Sequence, residues 1–560
     1  MFFPIWGWAI ILQLSVGDII YFENANKHIG YEGFAFIGKD LYILYFSAIT
    51  EKPLQCFFGF FFFAVYVRQS ILFYKKHFQL EKDYSKKFFI EIISITIFFL
   101  IGARGGIQTS GIRPSFALIA DDPLLNAISI NPLFTSAYEL QKETLSNSKK
   151  MRFEESVLIA RETIDYEGAS FENPAFPILR KTIPASSGFK TNPNIVILLL
   201  ESWSAKYIGS ESKVNQKEVT PKFNQLIKEG IYFNRFFATG GRTSNGLLST
   251  LTGIPDRYGQ SVLHFQESNS RLGSLPKILQ QANYSSIFMT GSDLNFENIK
   301  PHIKKWGFEK ILDENNIKEL GKYSRGIWGF DDGVGLPIFL EELDRLPKEK
   351  PFVAVYLTIS THHPYKVPDK KYEIFDSSIK DFEYLNTLHY SDSAISEFIE
   401  SAKTKSFFKN TLFILLSDHT HHRFLNPYED RNIPLLIYSP ANLKPSLNSK
   451  IGTQLDIIPT ILSYINKPIL FSAYGKNLFS KSNRFSYFCF GNIAGWIDEE
   501  NIHFVNLYSE VPPISFGFSE PFIDKKICNL DLECRKSERK MLSILNSSIL
   551  LMEKNLIFPY

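Results

Sequence analysis

Residues 195–203 read IVILLLESW: six consecutive apolar residues, too few for an ordinary helix, ending in a glutamate, a serine and a tryptophan. A short, fully apolar run of this kind marks a strand buried on both faces. Similar runs follow at 286–289 (SIFM), 352–358 (FVAVYLT), 412–416 (LFILL) and 435–438 (LLIY). Between them, residues 221–230, 275–282, 336–346 and 392–403 carry helical spacing. This alternation predicts an α/β fold with a mostly parallel central sheet, covered by helices on both faces. Sites in such sheets collect at the carboxyl ends of the strands.

Those ends carry the reactive side chains. The first run finishes at Glu201-Ser202-Trp203, another at Ser360-Thr361-His362-His363, and another at Ser417-Asp418-His419. Carboxylates and imidazoles without a thiolate fit Mn²⁺, Zn²⁺ or Mg²⁺, and each residue taken alone also fits a plain turn. Residues 238–255 (ATGGRTSNGLLSTLTGIP) add a Gly-Gly turn feeding a helical run. A helix start presents backbone N–H groups to an anion, so Thr243 or Ser244 either meets a phosphate or sulfate there or serves as an N-cap. Arg242 either holds that anion or bridges the surface.

The chain has 560 residues, too many for one core, so at least two folding regions are expected. A net charge of +3 with no long basic stripe excludes a nucleic-acid partner. Residues 1–103 are expected to be a transmembrane region of about three spans, at 2–22, 54–74 and 88–103. The junction between the second and third holds Lys75, Lys76, Lys82, Lys86 and Lys87, with Arg68 just before, and should stay in the cytoplasm. The third span then runs outward, which places the rest of a multi-pass cytoplasmic-membrane protein on the extracytoplasmic side. Met1 enters an apolar run without a preceding charged region, so the expectation is an N-terminally truncated chain with further spans missing. Residues 104–190 form a connector, 191–480 the catalytic domain, and 481–560 a small sheet (487–490, 503–508) and a helix (531–553) that complete it. Of four cysteines, Cys528 and Cys534 lie close enough to bridge in an oxidising compartment.

LLLESWSA, GGRTSNGLLSTLTGIP, STHHPY, YSDSAISEFIE, LLSDH and TQLDIIPTIL, in this order over about residues 190–480, resemble the alkaline-phosphatase superfamily. More narrowly, they resemble its membrane-anchored, lipoteichoic-acid-synthase-like branch, grouped with the sulfatases. The resemblance implies an alkaline-phosphatase-like sandwich and one divalent ion, Mn²⁺ first, with Zn²⁺, Mg²⁺ and Ca²⁺ as alternatives. It implies that Glu201, Thr243, Asp418 and His419 hold the ion, that Thr243 is the nucleophile, and that His362 sits near the substrate phosphate to protonate the departing alkoxide. The metal would activate the threonine hydroxyl and neutralise phosphate oxygens.

The implied activity is transfer of phosphoglycerol, or a related phospho-head-group, from a phospholipid donor to a hydroxyl acceptor: a glycan, glycerophosphate or lipid. A hydrolase of phosphate or sulfate esters and a phosphoethanolamine transferase are the alternatives, and a binding module without catalysis is a third reading. Departures bear on the choice. Where the family places a Trp and an Arg on the head group, this chain has Phe296, Glu297, Asn298 and Ile299, so Asn298 is the candidate replacement beside Arg242, and His302 reads as solvated surface. No C/S-x-P-x-R sulfatase segment follows the first strand, and DHTH stands where phosphoethanolamine transferases carry Asp-His-Gly-Glu. His421, His422 and Arg423 are either surface residues or an extra ligand or phosphate contact.

Overall fold

A computed structural model of the chain describes residues 145–560 apart from 185–187, 296–298, 424, 519–524, 528–530 and 560; before 145 it describes Pro53–His77 and scattered short pieces. The chain divides into two units, residues 1–143 with 264–269, and residues 144–263 with 270–560.

In the first unit, helix α1 (Pro53–His77) exposes Leu54, Phe57, Phe58, Phe61 and Phe62. Its continuous apolar run, residues 56–67, is bounded by Gln55 and Arg68. Twelve residues of helix rise ~18 Å, short of a ~30 Å hydrocarbon core. Among the described residues, no helix is long and apolar enough to cross a membrane. The spans expected at 2–22 and 88–103 lie outside the described residues, save for isolated positions.

The second unit is built on an eight-stranded sheet. Its strands are β1 (Asn194–Leu200), β2 (Ile231–Phe233), β3 (Ser285–Thr290), β4 (Lys310–Leu312), β5 (Phe352–Leu357), β6 (Thr411–Ser417), β7 (Leu435–Tyr438) and β8 (Ser446–Asn448). Their spatial order is β8-β2-β7-β6-β1-β5-β3-β4. All neighbours pair in parallel except β7, which is antiparallel to both β6 and β2. The sheet is therefore mixed but mostly parallel, as the apolar runs imply. Along β1, Ile195, Ile197 and Leu199 face one buried layer, with Leu247, Leu248 and Leu251 of α2 (Thr243–Thr252). Val196, Leu198 and Leu200 face the other, with Phe339 and Leu343 of α3 (Asp332–Asp344) and Leu388 and Ile395 of α4 (Phe382–Ala402). Burial on both faces is what a run without polar residues requires.

Register sets the level of the strand ends. Leu200 pairs with Ser417, and Leu199 with Leu357, so β1, β5 and β6 stop together. Beyond the main sheet, β9 (Ser486–Phe490), β10 (Ile493–Ile497), β11 (Asn501–Asn506), β12 (Ile514–Gly517) and β13 (Lys525–Ile527) form an antiparallel sheet, and helix α5 (Leu532–Glu553) closes the chain. Asn546 on α5 accepts from Met151 N at 3.3 Å and donates to Lys149 O at 3.1 Å, tying the segment before the sheet to the C-terminus. Arg180, fully buried, donates to the carbonyls of Ile164, Ala473 and Gly475 at 2.6–2.9 Å. Cys534 is disulfide-bonded, and Cys56 and Cys489 are free; Cys528, its expected partner, lies outside the described residues.

Candidate metal centre and nucleophile

Glu201 follows β1 directly, and Asp418 and His419 follow β6, so matched strand ends deliver three donors to one point. One donor atom of each lies within 4.8 Å of the others, and all three residues are buried. His419 Nε2 is 3.5 Å from Glu201 Oε1 and 3.4 Å from Asp418 Oδ2. Thr243, the first residue of α2, places Oγ1 3.2 Å from Glu201 Oε2 and 3.5 Å from His419 Nε2. The four residues assigned to the ion by the motifs therefore do meet.

Supporting bonds orient each donor. His419 Nδ1–H donates to Thr420 O at 2.7 Å, which leaves Nε2 free as a ligand. Asp418 Oδ1 accepts from Ser202 N at 2.9 Å and His419 N at 2.7 Å, while the buried Oδ2 has no hydrogen-bond partner. A buried carboxyl oxygen without a hydrogen-bond partner is what a bound cation would satisfy. Ser202, in the left-handed region at φ 58°, donates Oγ–H to Glu201 Oε1 at 2.7 Å. The Glu201 backbone is pinned by Thr358 Oγ1, which accepts from its N–H at 2.8 Å, and by the Thr361 hydroxyl, which donates to its carbonyl.

The electrostatics point the same way. Burial, and then the Glu201 charge, push the Asp418 carboxyl well above its ordinary range. Burial opposes the charge on Glu201 too, but His419, His362 and the Ser202 hydroxyl hold its carboxyl below the usual value. Two carboxylates packed this closely do not both ionise without a counter-charge, and a divalent ion supplies one. Oxygen and imidazole donors fit Mn²⁺, Zn²⁺ or Mg²⁺ alike.

The helix carrying Thr243 comes very close to β6. A Cβ on Gly246 would sit 2.6–2.8 Å from Asp418 O, Cα and Cβ. Gly246→Ala is therefore expected to displace Asp418 and weaken the binding of a divalent ion at this candidate site by ~10-fold or more, measured by calorimetry. Gln454 joins the end of β6 to the segment leading into α2: its Nε2 donates to Ser417 O and Asp418 O at 2.9 and 2.7 Å, and its Oε1 accepts from Thr239 N at 3.0 Å. Ser244, the rival hydroxyl, is buried and its Oγ meets no partner, whereas Thr243 is half-buried and faces the donors. Arg242 is exposed, its guanidinium 5.8 Å from the centre of the Phe490 ring. Asn298 lies outside the described residues.

His362 stands on the loop after β5. Its Nδ1–H donates to His363 O at 3.1 Å, and its ring packs against Trp328 with centroids 4.0 Å apart. Asp332 fixes that loop: its carboxylate accepts from Ile359 N at 3.0 Å and Ser360 N at 3.1 Å, and Ser360 Oγ accepts from Asp332 N at 2.9 Å. Burial pushes the Asp332 carboxyl up to about 7. This folded value exceeds the unfolded ~3.9, so the group's contribution to stability is full below about pH 4 and lost as pH rises through about 7. Asp332→Asn is expected to flatten the fall in melting temperature between those two pH values, read by calorimetric scans across the range.

Two histidines differ from the reading of the sequence. His302 is buried rather than solvated: Nε2 bonds Leu263 O at 2.9 Å, and burial pushes its pKa down to about 3. His421 is buried face to face with Tyr384, centroids 4.0 Å apart, and burial brings it to about 3 as well. Neither joins the metal donors.

Residues 193–467 match the sulfatase family model. The chain carries a sulfatase-family domain. That domain holds Glu201, Thr243, Asp418 and His419 within its bounds. Among curated proteins, the lipoteichoic acid synthase-like YvgJ of Bacillus subtilis (strain 168) is 25% identical over 349 residues, covering 58% of this chain and 54% of that protein. The lipoteichoic acid synthase of Staphylococcus aureus (strain USA300) is 25% identical over 508 residues, 85% of this chain and 74% of that one. This chain thus spans about half the length of the Bacillus relative. A crystal structure of an alkaline phosphatase superfamily protein from Vibrio parahaemolyticus superposes with a TM-score of 0.65 at 24% identity, over 73% of this chain and 98% of that one. The sulfatase-family domain thus has the alkaline-phosphatase-like α/β fold, with the mixed sheet described above.

Proposed function

We propose that the chain is a membrane-anchored phosphotransferase that uses Thr243 to take a phosphoglycerol, or related phospho-head-group, from a phospholipid and pass it to a hydroxyl acceptor outside the cytoplasmic membrane. One observation carries this reading: Thr243 Oγ1, at the start of a ten-residue helix, is held 3.2 Å from Glu201 and 3.5 Å from His419. Relatives named lipoteichoic acid synthase support the head-group chemistry. The basic segment before residue 88 and the exposed phenylalanines of α1 support anchoring.

Glu201, Thr243, Asp418 and His419 would hold one divalent ion, with Mn²⁺ the first choice; bound there, it supplies a lowered hydroxyl pKa and neutralisation of phosphate oxygens. Thr243 Oγ, its proton given up to solvent, attacks the phosphorus, the bond to the diacylglycerol oxygen breaks, and His362 gives that oxygen a proton. The head group is then an ester of Thr243. An acceptor hydroxyl attacks the same phosphorus in the second step, restores the threonine, and returns a proton to His362. The positive end of α2 and Arg242 favour the anionic group throughout.

The test is incubation of the full chain with Mn²⁺ and head-group-labelled phosphatidylglycerol, with and without a glycan acceptor, followed by mass spectrometry of the Thr243 peptide. A glycerophosphate adduct on Thr243, discharged faster with acceptor, is expected. Diacylglycerol release that runs equally fast without any glycan acceptor, or an adduct formed only from phosphatidylethanolamine, would replace this reading with the hydrolase or the phosphoethanolamine transferase.

A further inference from the structure

His422 belongs to none of the groups placed so far, yet it touches three of them. Its Nε2–H donates to Gly241 O at 2.9 Å, two residues before Thr243. Its Nδ1 lies 2.7 Å from Asp430 Oδ1, so both edges of the ring are engaged. Although His422 is exposed, its ring lies parallel to that of His419, centroids 5.4 Å apart, and to that of Phe490 on β9, centroids 5.8 Å apart. Asp430 is itself tied to the post-β6 turn, its carbonyl accepting from Thr420 Oγ1 at 2.9 Å. The fit at Gly241 is close, because a Cβ there would sit 3.1 Å from His422 Cε1 and Nε2 and from Phe490 Cδ2.

From this geometry we infer that His422 is a positioning residue, which sets the Thr243 hydroxyl against the metal donors by clamping the Gly241 carbonyl and backing the His419 ring. The clamp acts from outside the donor set. Gly241 is held on its other side by α2 itself: its N–H donates at 3.2 Å to Asn245 Oδ1, whose Nδ2 donates to Asp256 at 2.7 Å, while its carbonyl is held by His422. A glycine pair leaves the backbone of 240–241 soft, and a soft turn immediately before a nucleophile must be stiffened from elsewhere. His422 provides that restraint from a different element, 181 residues away in the chain. Supporting bonds of this kind are worth ~10–100-fold in metal affinity or activity.

The inference rests on the proposed role of Thr243, and its test is arranged so that the two fail separately. His422→Phe keeps a flat ring between His419 and Phe490 but loses both ring nitrogens; His422→Gln keeps one donor within reach of Gly241 O. Metal-stripped full chain is titrated with Mn²⁺ alone, with no substrate present, and the melting temperature and the kcat and KM for phosphatidylglycerol are then measured. His422→Phe is expected to melt within a few degrees of wild type, to bind Mn²⁺ ~10-fold more weakly, and to lose ~10–100-fold in kcat with KM little changed. His422→Gln should recover part of both losses. Wild-type Mn²⁺ affinity and kcat in His422→Phe would overturn the inference, as would losses in both variants that track a collapse in melting temperature. A wild-type chain inactive on phosphatidylglycerol would count against the lipid reading alone, because the Mn²⁺ titration still reports on His422.

Discussion

Thr243→Ala is expected to remove at least ~10³-fold of the turnover of phosphatidylglycerol while leaving the fold and the Mn²⁺ affinity within about tenfold of wild type. The size follows from its role: among the described residues, the neighbouring Ser244 hydroxyl is buried without a partner and the Ser202 hydroxyl is engaged in donating to Glu201 Oε1, so neither stands in for Thr243. The fold is spared because Thr243 opens α2 and contributes none of the Leu247, Leu248 and Leu251 packing. Thr243→Ser separates the hydroxyl from the methyl and should keep measurable turnover. An alanine variant as fast as wild type, assayed by diacylglycerol release, would show that some other group attacks the phosphorus.

Asp418→Asn has the second large effect, and its two readouts move in opposite directions. The amide oxygen can take over the bonds that Oδ1 accepts from Ser202 N and His419 N, so the turn after β6 is preserved. The other position becomes an NH₂ group, which cannot ligate a cation. Turnover should fall at least ~10³-fold and should not be restored by excess Mn²⁺. Because burial and Glu201 push the Asp418 carboxyl upward, removal of its charge should leave the metal-free protein at least as stable as wild type, while the gain in melting temperature on adding Mn²⁺ disappears. A variant that is both active and stabilised by Mn²⁺ would mean that the ion sits elsewhere.

Much of this arrangement can be read from the chain because its signals are local. IVILLL and LFILL have no polar residue to expose, so they can only be strands buried on both faces, and the residues that follow them fall at one edge of a parallel sheet. Three-residue strands such as β2 and the two edge strands β4 and β8 carry too little pattern to stand out. Helix α4 begins ten residues before its apolar spacing becomes obvious at Asp392, since Tyr384, Leu385 and Leu388 alternate with polar residues that are buried too. His302 was legible in principle: Ile299, Ile303 and Trp306 recur at helical spacing around it, but the three lysines among them read as surface. Gln454 and His422 were not legible. Their partners, Thr239, Asp418 and Gly241, are separated from them by 215, 36 and 181 residues, and only tertiary structure brings them together. The same applies to Asp332, whose two acceptor bonds to the His362 loop span 27 and 28 residues.

Four side chains sharing one cation are the centre of the proposed chemistry, and anomalous scattering tests their sharing most directly. Crystals of the metal-stripped protein soaked in Mn²⁺ should give one strong anomalous peak about 2.0–2.3 Å from Glu201, Asp418, His419 and Thr243. A map with no peak there, or with its only peak at other residues, would contradict it.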